Sequence, residues 1–143
     1  MNIDIILAGA GLRNTRQRRL ILELLIKEGS PLSHSEILAK IDEHLDRVTL
    51  YRTLETLKEC GIVHQVQGID GVWRFCAHSR EIDGCPGDHA HFLCMSCGKM
   101  ICLPEEKMPR VNVPGGVSVE GKQFVVYGKC GDCLQIDRDR GQE

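Results

Sequence analysis

No apolar run in this chain approaches the roughly 20 residues needed to span a bilayer, so no membrane association is expected. The early stretch Ile3 to Gly11 is short, is interrupted by Asp4, and has its basic residues after it instead of before it. That order is wrong for a secretory leader, and a cytoplasmic protein is expected. Net charge is lacking too: −2 over 143 residues gives no global argument for nucleic acid. There is no internal repeat. No set of metal ligands leaves an open position beside a glutamate base, so neither an enzyme nor a small-molecule substrate is expected. Cysteine, by contrast, is plentiful at eight residues. In a compartment where disulfides rarely persist, that points to metal or thiol chemistry.

The length suits one or two small domains. The first sixty residues read as three helices. Asn14-Thr15 can cap the first, with Leu20, Ile21, Leu24 and Leu25 inward and Gly29 as its stop. Ser33-His-Ser-Glu36 is a capping box for the second, which turns Ile37, Leu38 and Ile41 inward. Asp46 can cap the third, whose inner stripe is Leu50, Leu54 and Leu57 and whose end is Gly61. The period then changes to that of strands: Ile62–Gln67 and Val72–Cys76 flank Gly68-Ile-Asp-Gly71, a hairpin with turn chemistry. Three helices and a hairpin are the order of a winged helix-turn-helix. The fold class is therefore α+β: a winged-helix domain over 1–76, a polar, turn-rich hinge over 77–88, and a small second domain over 89–136. The charged tail 137–143 is expected to be disordered.

Cys94-Met-Ser-Cys97 and Cys130-Gly-Asp-Cys133 are two C-x2-C knuckles. Each sets two thiolates on one side of a tight turn, and two such turns complete a tetrahedron around zinc. All four positions are then filled, so the zinc is structural. Two independent redox dithiols would call for a thioredoxin-like pattern, which is absent. The thirty-two residues between the knuckles must hold structure of their own.

On the third helix, Arg47-Val-Thr-Leu-Tyr-Arg-Thr-Leu54, a rotation of about 100° per residue puts Arg52 nearly opposite the leucine stripe, flanked by Tyr51 and Thr56, with Thr49 on the same helix as a further DNA-contact candidate. Arginine can pair with guanine N7/O6, and tyrosine can contact phosphate or a thymine methyl. Taken alone, this would equally be a solvated face; the two preceding helices and the wing make double-stranded operator DNA the expected partner. Arg13, Arg16, Arg18 and Arg19 stand at the entry to the first helix, where phosphate or minor-groove contact is expected. Arg13, Arg16, Arg18, Arg19 and Lys27 face one acid, Glu23, although residues 1–60 as a whole balance at nine basic and nine acidic.

This pattern resembles the ferric uptake regulator (Fur) family of metal-dependent repressors. The resemblance rests on Thr15-x-x-Arg18, Val48-Thr-Leu-Tyr-Arg52, Gly61-Ile-Val63, His89-Ala-His-Phe-Leu-Cys-Met-Ser-Cys-Gly98 and Tyr127-Gly-Lys-Cys-Gly-Asp-Cys133, and spans about residues 12–135. It implies an N-terminal DNA-binding domain, a C-terminal dimerisation domain and repression when a sensed metal is bound. It also implies a regulatory metal site at the hinge, here at His64, Cys76, His89 and His91. A thiolate among imidazoles favours zinc over ferrous iron, which points to the zinc uptake regulator branch. Asp88 and Ala90 stand where many members have ligands of a further site, so that site is expected to be absent or altered. Pro104, Pro109 and Pro114 confine the usual helix after the first knuckle to about one turn.

The remaining candidates read more blandly. His34 is expected as an exposed first-turn histidine, Cys60 as a buried small apolar residue, and Trp73 as wing packing. Cys102, at a position often acidic in relatives, is expected to pack, with a spare ligand as the alternative. His78 and Cys85 in the hinge are possible substitutes in the regulatory site. The whole is expected to be a homodimer that holds structural zinc and binds a palindromic operator when a second zinc ties the wing to the dimerisation domain. The rivals are an iron or peroxide sensor on the same scaffold and a thiol redox switch.

Overall fold

The computed structural model of the chain describes residues 2–77 and 89–141. Its N-terminal part contains four helices where three are expected. The added one, α1 (Ile3–Gly9), is the apolar stretch weighed above only as a leader. Asn2 caps it, accepting from the Asp4 N–H at 2.9 Å, and Ile3, Ile6 and Leu7 face inward at helical spacing.

The next three helices follow their predicted punctuation. Helix α2 (Arg16–Glu28) is capped by Thr15, which accepts from the Arg18 N–H at 3.3 Å, and ends at Gly29 with φ 66°, a left-handed conformation that glycine adopts without strain. A two-residue strand, β1 (Leu32–Ser33), not anticipated from the sequence, leads into α3 (His34–Lys40). Both arms of its capping box form: Ser33 Oγ accepts from the Glu36 N–H at 3.2 Å, and Glu36 Oε1 accepts from the Ser33 N–H at 3.1 Å. Helix α4 (Arg47–Glu59) is capped by Asp46 and buries Leu50, Thr53, Leu54 and Leu57. Its terminal Cys60 is exposed, not buried as expected, because the chain turns away at Gly61 before the thiol reaches the core.

The wing is β2 (Val63–Gln67) and β3 (Trp73–Ala77), which pair antiparallel, with β1 on the far side of β3. Trp73 packs only in part and stays 39% exposed. A second sheet has the order β5-β4-β6. In its centre, β4 (His89–Cys94) runs antiparallel to β5 (Met100–Lys107) and parallel to β6 (Val125–Gly128). Pro104 therefore sits in an edge strand, at the irregularity where the register shifts opposite His89 and Ala90, a place where the missing N–H is tolerated. No helix follows the first knuckle before residue 131. The tail is helical where disorder is expected: α5 (Gly131–Arg140) extends through residues 137–140, started by the second knuckle and closed by Arg138 and Arg140 in its last turn. A helix whose first turn is already held avoids the costly step of nucleation.

The main core gathers α1 to α4 and the wing around Leu7, Ile21, Leu22, Ile37, Leu50 and Leu57. The second sheet has far less to bury: Val66, Leu93 and Met100, with Val125 against them. Val66 belongs to the wing, so the wing is part of both cores. Arg74 adds a polar tie. Only 3% exposed, it bonds Asp70 at 2.9 and 3.2 Å and donates to the Gly98 carbonyl at 3.1 Å, just past the first knuckle. Gln67 N–H donates to Gln123 Oε1 at 2.7 Å beside it. Of the expected hinge, Ala77 ends β3; the remainder, with His78, Cys85 and Asp88, lies outside the described residues.

Candidate metal centres and nucleic-acid interface

The parallel pairing of β6 with β4 sets Gly128 beside Cys94 and so brings the two knuckles together. Cys94 Sγ and Cys133 Sγ are 3.7 Å apart and Cys97 Sγ and Cys130 Sγ 3.9 Å, with all four sulfurs within 4.8 Å of one another. Two thiolates at about 2.3 Å from one zinc, at the tetrahedral angle, stand about 3.8 Å apart. The backbone is shaped for the turn, with Gly98 at φ 78° and its N–H donating to the Cys94 carbonyl at 2.9 Å. The N–H groups of Cys97 and Cys130 point at Cys94 Sγ (3.4 and 3.3 Å) and pull its pKa down to about 6. Cys94 is thus prepared as a thiolate, while crowding by the neighbouring sulfurs and burial push the Cys97 and Cys133 thiols up, so that a metal ion is what would hold all four sulfurs as thiolates.

A second cluster lies where the two sheets meet. His64 stands opposite Cys76 across the wing, and His91 opposite Cys102 across β4 and β5. Directly opposed residues of antiparallel strands share a face, so each sheet presents an imidazole with a thiol. Donor atoms of His89, His91 and Cys102 lie within 4.8 Å of one another, and Cys76 Sγ is 4.0 Å from Cys102 Sγ. The His89 and His91 rings are 4.5 Å apart between centroids, and His64 is 6.0 Å from His91. His64, His89 and His91 line a cavity of about 80 Å³ together with Gln65, Val66, Met108, Lys122 and Gln123. His91 Nε2 is buried there with no hydrogen-bond partner among the described residues. Such a group costs about 1–3 kcal/mol unless something binds it, and a metal ion fits both the donor and its neighbours.

Cys102, expected to pack, is therefore within ligand range, whereas His34 is not. The His34 ring lies 4.0 Å from the Tyr51 ring and 4.7 Å from Phe75, half-buried, and desolvation lowers its pKa. Its packing follows from β1, which presses the start of α3 against the wing. Spacing alone did not single out Cys102: equal steps from the middle of the first knuckle would pair 91 with 100, whereas the observed register, 93 with 100 and 91 with 102, is centred between Ser96 and Cys97.

On α4, Tyr51, Arg52 and Val48 are exposed, while Thr49 and Thr56 are half-buried. Thr56 Oγ1 donates back to the Arg52 carbonyl at 3.0 Å. Arg18, Thr49, Arg52 and Thr56 line one cleft between the start of α2 and α4, joined by Thr15, Gln17 and Thr53. Gln17 and Thr53 were not singled out in the sequence. The other arginines stand outside the cleft: Arg16 pairs with Glu43, Arg19 with Asp4 and Glu23, and Arg13 is exposed with its carbonyl accepting from Arg18 at 2.9 Å. Such exposed ion pairs are worth little, so phosphates can replace the acids.

A winged helix with an exposed recognition helix, packed on a sheet that carries two clusters of metal donors, defines a metal-responsive DNA-binding regulator. Comparison with known proteins agrees. The family model described as "Ferric uptake regulator family" matches residues 9–113. The chain is 29% identical over 136 residues to the ferric uptake regulation protein of Vibrio vulnificus, covering 88% of this chain and 86% of that protein. It is equally 29% identical over 136 residues to the zinc uptake regulation protein of Mycobacterium tuberculosis, at 89% and 98% coverage. A solved zinc uptake regulator complexed with zinc and DNA superposes with a TM-score of 0.64 at 23% identity, over 94% of this chain and 92% of that one. The chain belongs to the ferric uptake regulator family of metal-dependent transcriptional regulators, which are not enzymes.

Proposed function

We propose that the chain is a zinc-responsive repressor that binds a palindromic operator as a homodimer and controls metal-uptake genes. The observation that carries this reading is the approach of the wing to the second sheet, with the His64 ring 6.0 Å from His91 and 6.5 Å from His89 and with Cys76 beside Cys102; His64, Cys76, His89 and His91 are the proposed ligands. Ligands drawn from these four residues join the wing to the sheet that holds the four-cysteine cluster. The thiolate favours zinc, and the four-cysteine cluster suits a structural zinc that steadies a sheet with few buried residues. The homodimer is supported by the exposed apolar residues Phe124, Val126 and Tyr127 at edge strand β6, with Leu134 and Ile136 on α5.

Closing the wing against the second sheet fixes the spacing of two recognition helices across a dimer, so that both enter successive major-groove faces. Tyr51, Arg52, Thr49 and Thr56 would read the groove, and Arg13, Arg16, Arg18 and Arg19 would contact phosphates. Driving the closed form from 1:99 to 99:1 requires roughly 5.5 kcal/mol of preferential metal binding. The test is operator binding at buffered free zinc with Cys76→Ser beside the wild type. Bound zinc should fall from two per chain to about one, with the fold kept and DNA affinity lost. Equal DNA binding with and without metal at the second site would refute this function.

An iron-sensing reading has an observation in its favour, since the iron and zinc regulators match at the same 29% identity. Protein stripped only at the second site distinguishes the two: restoration of operator binding by ferrous iron and not by zinc would establish the iron sensor.

A further inference from the structure

We propose that Cys102 is a ligand of the second cluster, which makes it a two-thiolate centre selective for thiophilic closed-shell cations over ferrous iron and manganese. This rests on the metal-site reading above and goes beyond it by assigning a ligand and the metal class that follows. The spacing is the first argument. Cys76 Sγ and Cys102 Sγ are 4.0 Å apart, against 3.7 and 3.9 Å within the four-cysteine cluster of the same chain, and a tetrahedral zinc dithiolate needs about 3.8 Å. The second argument is completeness. Cys102 lies within 4.8 Å of the donor atoms of both His89 and His91, and Cys76 reaches that trio through its contact with Cys102, so two sulfurs and two imidazoles would fill four positions and leave His64 beside the set. The imidazoles are prepared for it. His91 Nε2 is buried without a hydrogen-bond partner among the described residues, and His89 Nδ1 lies 2.8 Å from the Ala90 carbonyl. A carbonyl oxygen only accepts, so that contact places a proton on Nδ1, the usual device for orienting a ligand histidine.

The consequence is selectivity. One thiolate already favours zinc over ferrous iron, and a second one strengthens that preference and extends it to manganese, which suits oxygen donors. The two sulfurs also come from different sheets, Cys76 from the wing and Cys102 from β5. The metal class and the wing tie therefore depend on the same pair of side chains.

The experiment uses the full chain with zinc retained in the four-cysteine cluster and cobalt(II) titrated into the second. The thiolate-to-cobalt charge-transfer band scales with the number of bound sulfurs. At saturating cobalt, which fills even the weakened sites that stay empty at buffered zinc, Cys102→Ser and Cys76→Ser should each lose about half of it, and the double variant all of it. Retention of one zinc per chain and an unchanged circular dichroism spectrum show that each variant is folded. Zinc affinity at the second site should fall by at least the roughly 10- to 100-fold that loss of a mere supporting partner costs, with manganese affinity unchanged or higher in Cys102→Asp. A full-strength band in Cys102→Ser, with operator binding still metal-dependent, overturns this inference and leaves the proposed function standing. Failure of wild type to bind cobalt at the second site overturns both.

Discussion

Arg74→Met tests how the wing is held to the second sheet. The guanidinium, 3% exposed, bonds both Asp70 oxygens and the Gly98 carbonyl. Methionine keeps the apolar length and removes every donor. Breaking a buried pair on one side typically costs about 3–5 kcal/mol because the partner charge is stranded. Here the Asp70 side chain keeps 28% of its exposure and rehydrates. The expected loss is therefore discounted to about 2 kcal/mol, near the value of one hydrogen bond to a charged group. For a chain of this size, that lowers Tm by about 4–8 °C. Thermal unfolding of wild type, Arg74→Met, Asp70→Asn and the double variant should give a coupling of about 1–2 kcal/mol. The pH dependence supplies a sign. The hydrogen bond from Arg74 holds the Asp70 carboxyl below its ordinary 3.8, so this stability is fully present above 3.8 and drains away as pH falls through the lower folded value. The gap between wild type and Arg74→Met should narrow in acid. A neutral-pH difference under about 0.5 kcal/mol, the range of an ordinary surface change, or a gap that widens in acid, would refute the argument.

Arg52→Ala should weaken operator binding by about 1–3 kcal/mol and relax specificity at one base position, while Arg13→Ala should weaken all sequences alike and lower the salt slope by about one, both read by fluorescence anisotropy across a salt series. Gly68→Ala should destabilise the folded protein by about 1–3 kcal/mol in urea unfolding. A Cβ there would stand 2.7 Å from the Arg74 guanidinium and 2.8 Å from Leu93 Cδ2, where the wing turn meets the second sheet.

Local chemistry was legible along the chain. Thr15, Ser33 and Asp46 cap the helices they were expected to cap, and Gly29 and Gly61 stop two of them. Each of these signals acts over three or four residues, the distance over which sequence itself is a coordinate. The knuckles were legible for the same reason. Helix α1 was missed because Ile3, Ile6 and Leu7 are apolar at a spacing that serves equally well in a leader, and only the surface of α2 tells them where to pack. The end of α5 was missed because its residues are polar on all sides, and its start depends on where Cys130 and Cys133 are anchored.

The sequence by itself determined α2 to α4 and the wing hairpin, the two cysteine knuckles and the exposed arginine face of the recognition helix. Only the tertiary structure decided which donors meet. Cys102 stands beside Cys76 and His91, His34 turns to Tyr51, and Arg74 reaches Gly98. The physical reason is that a cap or a tight turn is set by neighbours along the chain, whereas a contact between sheets is set by strand register and by how two faces pack. Neither is written into the spacing of one segment alone.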